Sequence, residues 1–196
     1  MRDSPSWLQR SHFFLGLLWF ALSPALAAAQ KLPTAFDLDG KPFGLSAASP
    51  GKSVALIFVR RDCPISSRYA PTIQKLSQQY SRDARFFLVF PDKTESSGEI
   101  RKYLRDFAYS LPALRDPDHA LVRLAHAHTT PEAAVFDRKG ALVYHGRIDN
   151  LYEDISRARP AATTHELDDA LRSAIHGSPL LARETTAVGC YISDLP

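Results

Sequence analysis

The sequence of this 196-residue chain predicts an α/β sandwich, a mixed central sheet with flanking helices. Three observations carry that expectation. Residues 53–59 (SVALIFV) form a short, continuous apolar run rich in β-branched side chains, the pattern of a central strand covered on both faces. From Pro64 the period changes: Ile65, Tyr69, Ile73, Leu76 and Tyr80 recur at three and four residues and draw one apolar helical face. Further on, residues 133–136 and 141–145 flank Asp137-Arg138-Lys139-Gly140, where Gly140 can take the positive φ of a hairpin turn. Strand and helix in alternation, closed by an antiparallel hairpin and a last helix, describe a layered sandwich rather than a bundle or barrel.

In chain order, the first 29 residues are set aside. Arg2 and Arg10, the apolar run 13–22 and Ala27-Ala28-Ala29 follow the charged, apolar, A-x-A order of a secretory signal, cleaved after Ala29 or, second choice, after Ala27. Ser23-Pro24 breaks the run, which is short for a bilayer, so no stable membrane span is expected once the signal is removed. The remaining 167 residues, 30–196, suit one domain and a secreted or periplasmic location. Losing two arginines and one aspartate leaves 22 basic against 20 acidic residues, nearly neutral. The basic residues are scattered, and the pair Arg60-Arg61 lies beside a cysteine rather than in a basic stripe, which argues against nucleic acid as a partner.

After the strand at 53–59, Pro64 sits in the first turn of a helix, where its missing N–H costs nothing, and Pro71 should kink that helix. A strand at 85–90 (RFFLVF) and a helix over about 97–109, with Ile100, Leu104 and Phe107 on one face, come next. Asp116-Pro117-Asp118 starts a short helix through Leu121 and Leu124. Beyond the hairpin, Thr163-Thr164-His165-Glu166 has capping-box spacing, and its helix runs through Leu167, Leu171 and Ile175 to Gly177. The tail from Ser178 has no periodicity, yet it holds the second of only two cysteines.

Those cysteines are the candidate chemistry. Export would place Cys63 and Cys190 in an oxidising compartment, where one disulfide is the plain expectation. Cys63 lies between the apolar strand and the helix start, so unpaired backbone N–H groups and the positive end of the helix favour its thiolate. Arg60 and Arg61 add positive charge, Asp62 opposes them, and Ser66, one turn in, can donate to the sulfur. The alternative is half of a static disulfide, or a buried small apolar residue. Cys190, after Gly189 on the tail, is either a resolving thiol or a permanent staple whose long loop stabilises the fold by a few kcal/mol. Both readings need the same contact.

Cys63 between strand and kinked helix, and Thr130-Pro131 just before the hairpin strand, resemble the thioredoxin fold, with its nucleophilic cysteine and facing cis-proline. More narrowly, the chain resembles exported redoxins of the thiol-specific antioxidant, peroxiredoxin-like branch. The likeness rests on Asp62-Cys63-Pro64-Ile65-Ser66 with Arg68-Tyr69-Ala70-Pro71, on Thr130-Pro131-Glu132, on residues 144–149 (YHGRID) and on Gly189-Cys190-Tyr191-Ile192, and it spans roughly residues 33–193. It implies a thioredoxin-like three-layer sandwich and a thiol oxidoreductase with no cofactor. The substrate would be a protein disulfide or a peroxide, and an unidentified thiol would act as reductant. The catalytic set would be Cys63, Cys190, Pro131, Thr130, Ser66 and Arg147, the last a cation near the cis-proline layer that holds the thiolate.

Two departures from the pattern qualify that reading. Ser66 replaces the second cysteine of a C-x-x-C, so exchange within one loop is impossible. Arg60 and Leu56 stand where peroxiredoxins carry a peroxide-orienting hydroxyl and a proline, which argues against fast peroxidase activity. Two further readings stay open. His126 and His128 with Cys63 offer a soft site for Cu(I), resembling Sco-type copper chaperones, although those supply two cysteines in the helix-start loop. A non-catalytic binding module with a structural disulfide is the other.

Overall fold

In the computed structural model, which describes residues 35–45 and 50–193, the apolar run becomes the inner strand of a six-stranded sheet. The elements in chain order are β1 (Phe36–Asp37), β2 (Ser53–Phe58), α1 (Pro64–Arg68), α2 (Ala70–Gln79), β3 (Ala84–Phe90), α3 (Ser97–Asp106), β4 (Ala113–Arg115), α4 (Ala120–Ala125), β5 (Thr129–Thr130), β6 (Glu132–Phe136), β7 (Leu142–Gly146), α5 (Glu166–His176) and β8 (Cys190–Tyr191). They belong to one compact unit, Leu32–Pro196. The expected signal, residues 1–29, lies outside the described residues.

The sheet order is β1-β4-β3-β2-β6-β7. β2, β3 and β4 run parallel, whereas β1, β6 and β7 are antiparallel to their neighbours, which gives the expected mixed sheet. All six residues of β2 are buried because the sheet is covered twice. Side chains alternate along a strand, so Ala55 and Ile57 face one core with Ile65, Ile73, Ile100, Leu167 and Leu171 from α1, α2, α3 and α5. Leu56 and Phe58 face the other, with Leu121, Val122 and Ala125 of α4. Three layers result.

Several boundaries differ from the sequence reading, each for a local reason. The helix from Pro64 is divided at Tyr69 (φ −80°, ψ −4°), and Pro71, at the start of α2, has no N–H to continue the ladder. α3 starts on a full capping box between Ser96 and Glu99 and stops at Asp106, since Ala108 takes φ 53°. The expected capping box at Thr163 does not form. Its backbone N–H and that of Thr164 donate to Asn150 Oδ1 at 2.7 and 3.1 Å, and α5 starts at Glu166. The tail, which shows no period in the sequence, places β8 antiparallel to β5 as a separate two-stranded sheet.

Candidate active site

Cys63 is the N-cap of α1, directly after β2, with an extended backbone (φ −88°, ψ 111°) and Pro64 in the first turn. Its own chain thus turns from strand to helix at the sulfur-bearing residue, and it is fully buried. Facing it is the β5 loop. The Thr130–Pro131 bond is cis, and the Thr130 carbonyl accepts a hydrogen bond from Cys63 Sγ at 3.0 Å. Across the β5–β8 ladder Thr130 is paired with Cys190, whose sulfur donates to Cys63 Sγ at 3.0 Å. Two free thiols separated by 127 positions in the chain are therefore in contact.

The two thiols are inequivalent. Burial pushes the Cys63 thiol up, but donors from the side chains of Cys190 and Ser66 and from their backbone N–H groups pull it down and prevail. The Thr130 carbonyl is the acceptor that favours the protonated form. Cys190 shifts the other way, pushed up to about 11 by burial and by the hydrogen bond and negative charge of Cys63. Of the two thiols Cys63 is therefore the one that ionises first, with Cys190 as the protonated donor to it. Because α1 has five residues, these named donors, rather than a long helix dipole, supply the bias.

The arginines beside Cys63 are engaged by carboxylates, and Arg60 also donates to Tyr191 O at 3.4 Å, beside Cys190. Arg60 pairs with Asp62 at 2.8 Å and Asp92 at 3.4 Å, and Arg61 with Glu95 at 3.3 Å and Glu99 at 3.0 Å. The expectation that they charge-stabilise the sulfur gives way to these ion pairs. Arg147 lines a small cavity with Pro131, Tyr69 and Tyr152, yet its guanidinium is held by Glu166 at the start of α5. The expected Arg147 contact to the thiolate is thus replaced by an ion pair. Ser66 is placed as expected: it is fully buried, donates to Cys63 and accepts from Arg60 N–H at 3.4 Å.

The His126 ring lies 5.8 Å from that of His145, and His128 N–H donates to Glu132. Among the described residues no group of three or more His, Cys, Asp or Glu is arranged to hold a metal ion.

Sequence reasoning missed two carboxylates that support the site. The buried Glu132 gathers the N–H groups of His128 and Thr129 at 2.8 and 3.0 Å and the Thr129 hydroxyl at 3.2 Å, which fixes the loop carrying Thr130. Glu95, 3% exposed, accepts from Arg61 N–H at 3.0 Å and anchors the turn before Cys63, and burial raises its pKa. Glu132 follows the Thr-Pro pair directly and was legible by position. Glu95 gives no such signal, because its partner is a backbone group 34 residues away.

A mixed sheet between helix layers, with a cysteine at the strand-to-helix turn facing a cis-proline, defines a thioredoxin-fold protein. The Redoxin family model matches residues 27–160, more than half of the chain, and the chain belongs to that family. No curated protein matches it in sequence. Among solved structures it is similar to an uncharacterized conserved protein from Geobacillus kaustophilus, at 20% identity over 83% of this chain and 88% of that one, with a TM-score of 0.71. A hypothetical protein from Sinorhizobium meliloti is similar at 19% identity over 81% and 88%, with a TM-score of 0.68. A secreted Mycobacterium tuberculosis disulfide oxidoreductase homologous to Escherichia coli DsbE is similar at 19% identity over 74% and 99%, with a TM-score of 0.52. These likenesses establish the fold.

Proposed function

We propose that the chain is an exported thiol–disulfide oxidoreductase in which Cys63 is the nucleophile and Cys190 the resolving thiol. The observation that carries this reading is the 3.0 Å contact of the two sulfurs at the Thr130 carbonyl, with Cys63 the more acidic of the two. Cys63 attacks a substrate disulfide, forming a mixed disulfide and releasing the other substrate sulfur as thiolate. Cys190 then attacks Cys63 Sγ, giving up its proton to a released substrate thiolate. The intramolecular disulfide forms, the second substrate thiolate leaves, and two electrons have passed to the substrate. An external thiol restores the reduced pair. Export supplies the oxidising setting. Among the described residues no helix is long and apolar enough to cross a membrane, and the N-terminal segment reads as a cleaved signal.

Peroxide is the poorer substrate in this reading, because Arg60 stands in place of an orienting hydroxyl and is engaged by Asp62 and Asp92. Stopped-flow reaction of the reduced chain should be slower with hydrogen peroxide than with a small disulfide. With the small disulfide, Cys190→Ser should accumulate a mixed disulfide at Cys63, and Cys63→Ser should form none. A fast peroxide burst would reassign the chain to peroxidases, and unreactive thiols would leave only a structural pair.

A further inference from the structure

The second cysteine reaches the first by strand pairing, and that pairing is small. β5 has no strand partner among the described residues except β8, which pairs along its edge. The ladder holds Thr129 opposite Tyr191 and Thr130 opposite Cys190, with Ile192 N–H donating to His128 O at 2.9 Å and Thr130 Oγ1 to Cys190 O at 3.3 Å. Three side-chain positions define what fits. A Cβ at Gly189 would collide with the Thr130 carbonyl, Ile192 is 6% exposed in the core beneath, and Tyr191 between them is 80% exposed. The edge therefore reads glycine before the cysteine and an aliphatic residue two after it, and ignores the residue between.

Resting on the redox reading above, we propose that β8 is a displaceable, tethered occupant of this edge, and that the substrate is an extended polypeptide segment of the pattern Gly-Cys-x-aliphatic that takes its place. Main-chain pairing supplies affinity and the glycine clearance supplies selectivity. When the segment's cysteine is oxidised, Cys63 attacks it, a Cys63–partner disulfide forms, and the partner's second sulfur leaves as thiolate. The partner strand and β8 cannot share the edge. Resolution therefore follows release of the partner's backbone, when Cys190 returns, bonds to Cys63 and expels the partner's sulfur, which takes the Cys190 proton and leaves as a thiol.

Docking can be measured without the chemistry. The probe is a fluorescent eight-residue peptide copying residues 186–193 with Cys190→Ser, titrated into the reduced full chain. Gly189→Val in the chain should unseat the tail and tighten probe binding at least tenfold over wild type. Ile192→Ser, which loosens the same strand at its other end, should do likewise. A probe that also carries Gly189→Val should not bind. On the wild-type chain, saturating probe should raise hydrogen exchange of the Ile192 amide, a readout that does not depend on any variant folding. Equal binding by wild type and folded variants, equal binding of the two probes, or an unchanged Ile192 amide would overturn the proposal. A wild-type dimer formed by tail exchange would also overturn it, with a second copy as occupant. Because the probe lacks a thiol, its failure would leave thiol exchange by Cys63 standing.

Discussion

At the residue scale, reactivity depends on which groups face the Cys63 sulfur. Ser66 and Cys190 stabilise the thiolate against the cost of burial, so the rate of alkylation at Cys63 should rise with pH and level off below the value of about 8.5 typical of a free cysteine. Replacing Cys190 by Ala removes a donor to the thiolate and leaves the burial. The levelling pH should therefore move up in Cys190→Ala, as read by iodoacetamide kinetics with peptide mass spectrometry. An unchanged profile would mean that Ser66 alone sets the pKa. Cys63, Ser66 and the Thr130-Pro131 pair were legible because each sits at a boundary marked by a change of period. The fate of Arg147 was not. A guanidinium takes whichever carboxylate the fold brings near, and Glu166 is 19 residues away in sequence.

At the element scale, local chemistry fixes where helices begin. α4 is six residues long and starts after a left-handed His119, so its first N–H groups need an external acceptor. The Asp116 carboxylate accepts from the N–H groups of Ala120, Leu121 and Val122 at 2.7 to 2.9 Å and is fully buried. Asp116→Ala should cost about 1–2 kcal/mol in urea unfolding, the upper part of the range for lost helix caps. A smaller loss would mean that water replaces the carboxylate.

The sequence showed the Asp-Pro-Asp cluster as a helix start, as it showed β2, β3, the β6–β7 hairpin and the Gly177 end of α5, since apolar period and turn residues are local signals. β1, β4, β5 and β8 were invisible for the opposite reason. Each is two or three residues long, too short for a period of two to register, and each exists because a distant strand pairs with it. The glycine of the YHGRID segment belongs to the same class. Gly146 takes φ 141°, and a Cβ there would collide with Thr185 of the tail, a contact that only the folded chain reveals.

At the scale of the whole molecule, the tail closes the fold on itself. A covalent bond between Cys63 and Cys190 would enclose a loop spanning 127 positions, and restricting the unfolded chain to that extent should stabilise the oxidised protein by about 4–5 kcal/mol. Denaturant midpoints of the oxidised and reduced wild-type chain should differ accordingly. No difference would mean that the tail remains attached in the denatured ensemble or that the bond does not form.

Stability alone does not separate a staple from a redox centre, because both close the same loop. The reduction potential does. Stabilising the Cys63 thiolate favours the reduced pair and raises the potential into the range of exchange catalysts, whereas structural disulfides lie below about −300 mV. Equilibrating the purified chain with glutathione or dithiothreitol buffers, then trapping and mapping peptides 63 and 190, measures it. A reversible Cys63–Cys190 disulfide with a potential between about −270 and −120 mV is the expected result. A pair that never joins, or one that joins with a potential below about −300 mV, would contradict a catalytic role for these cysteines.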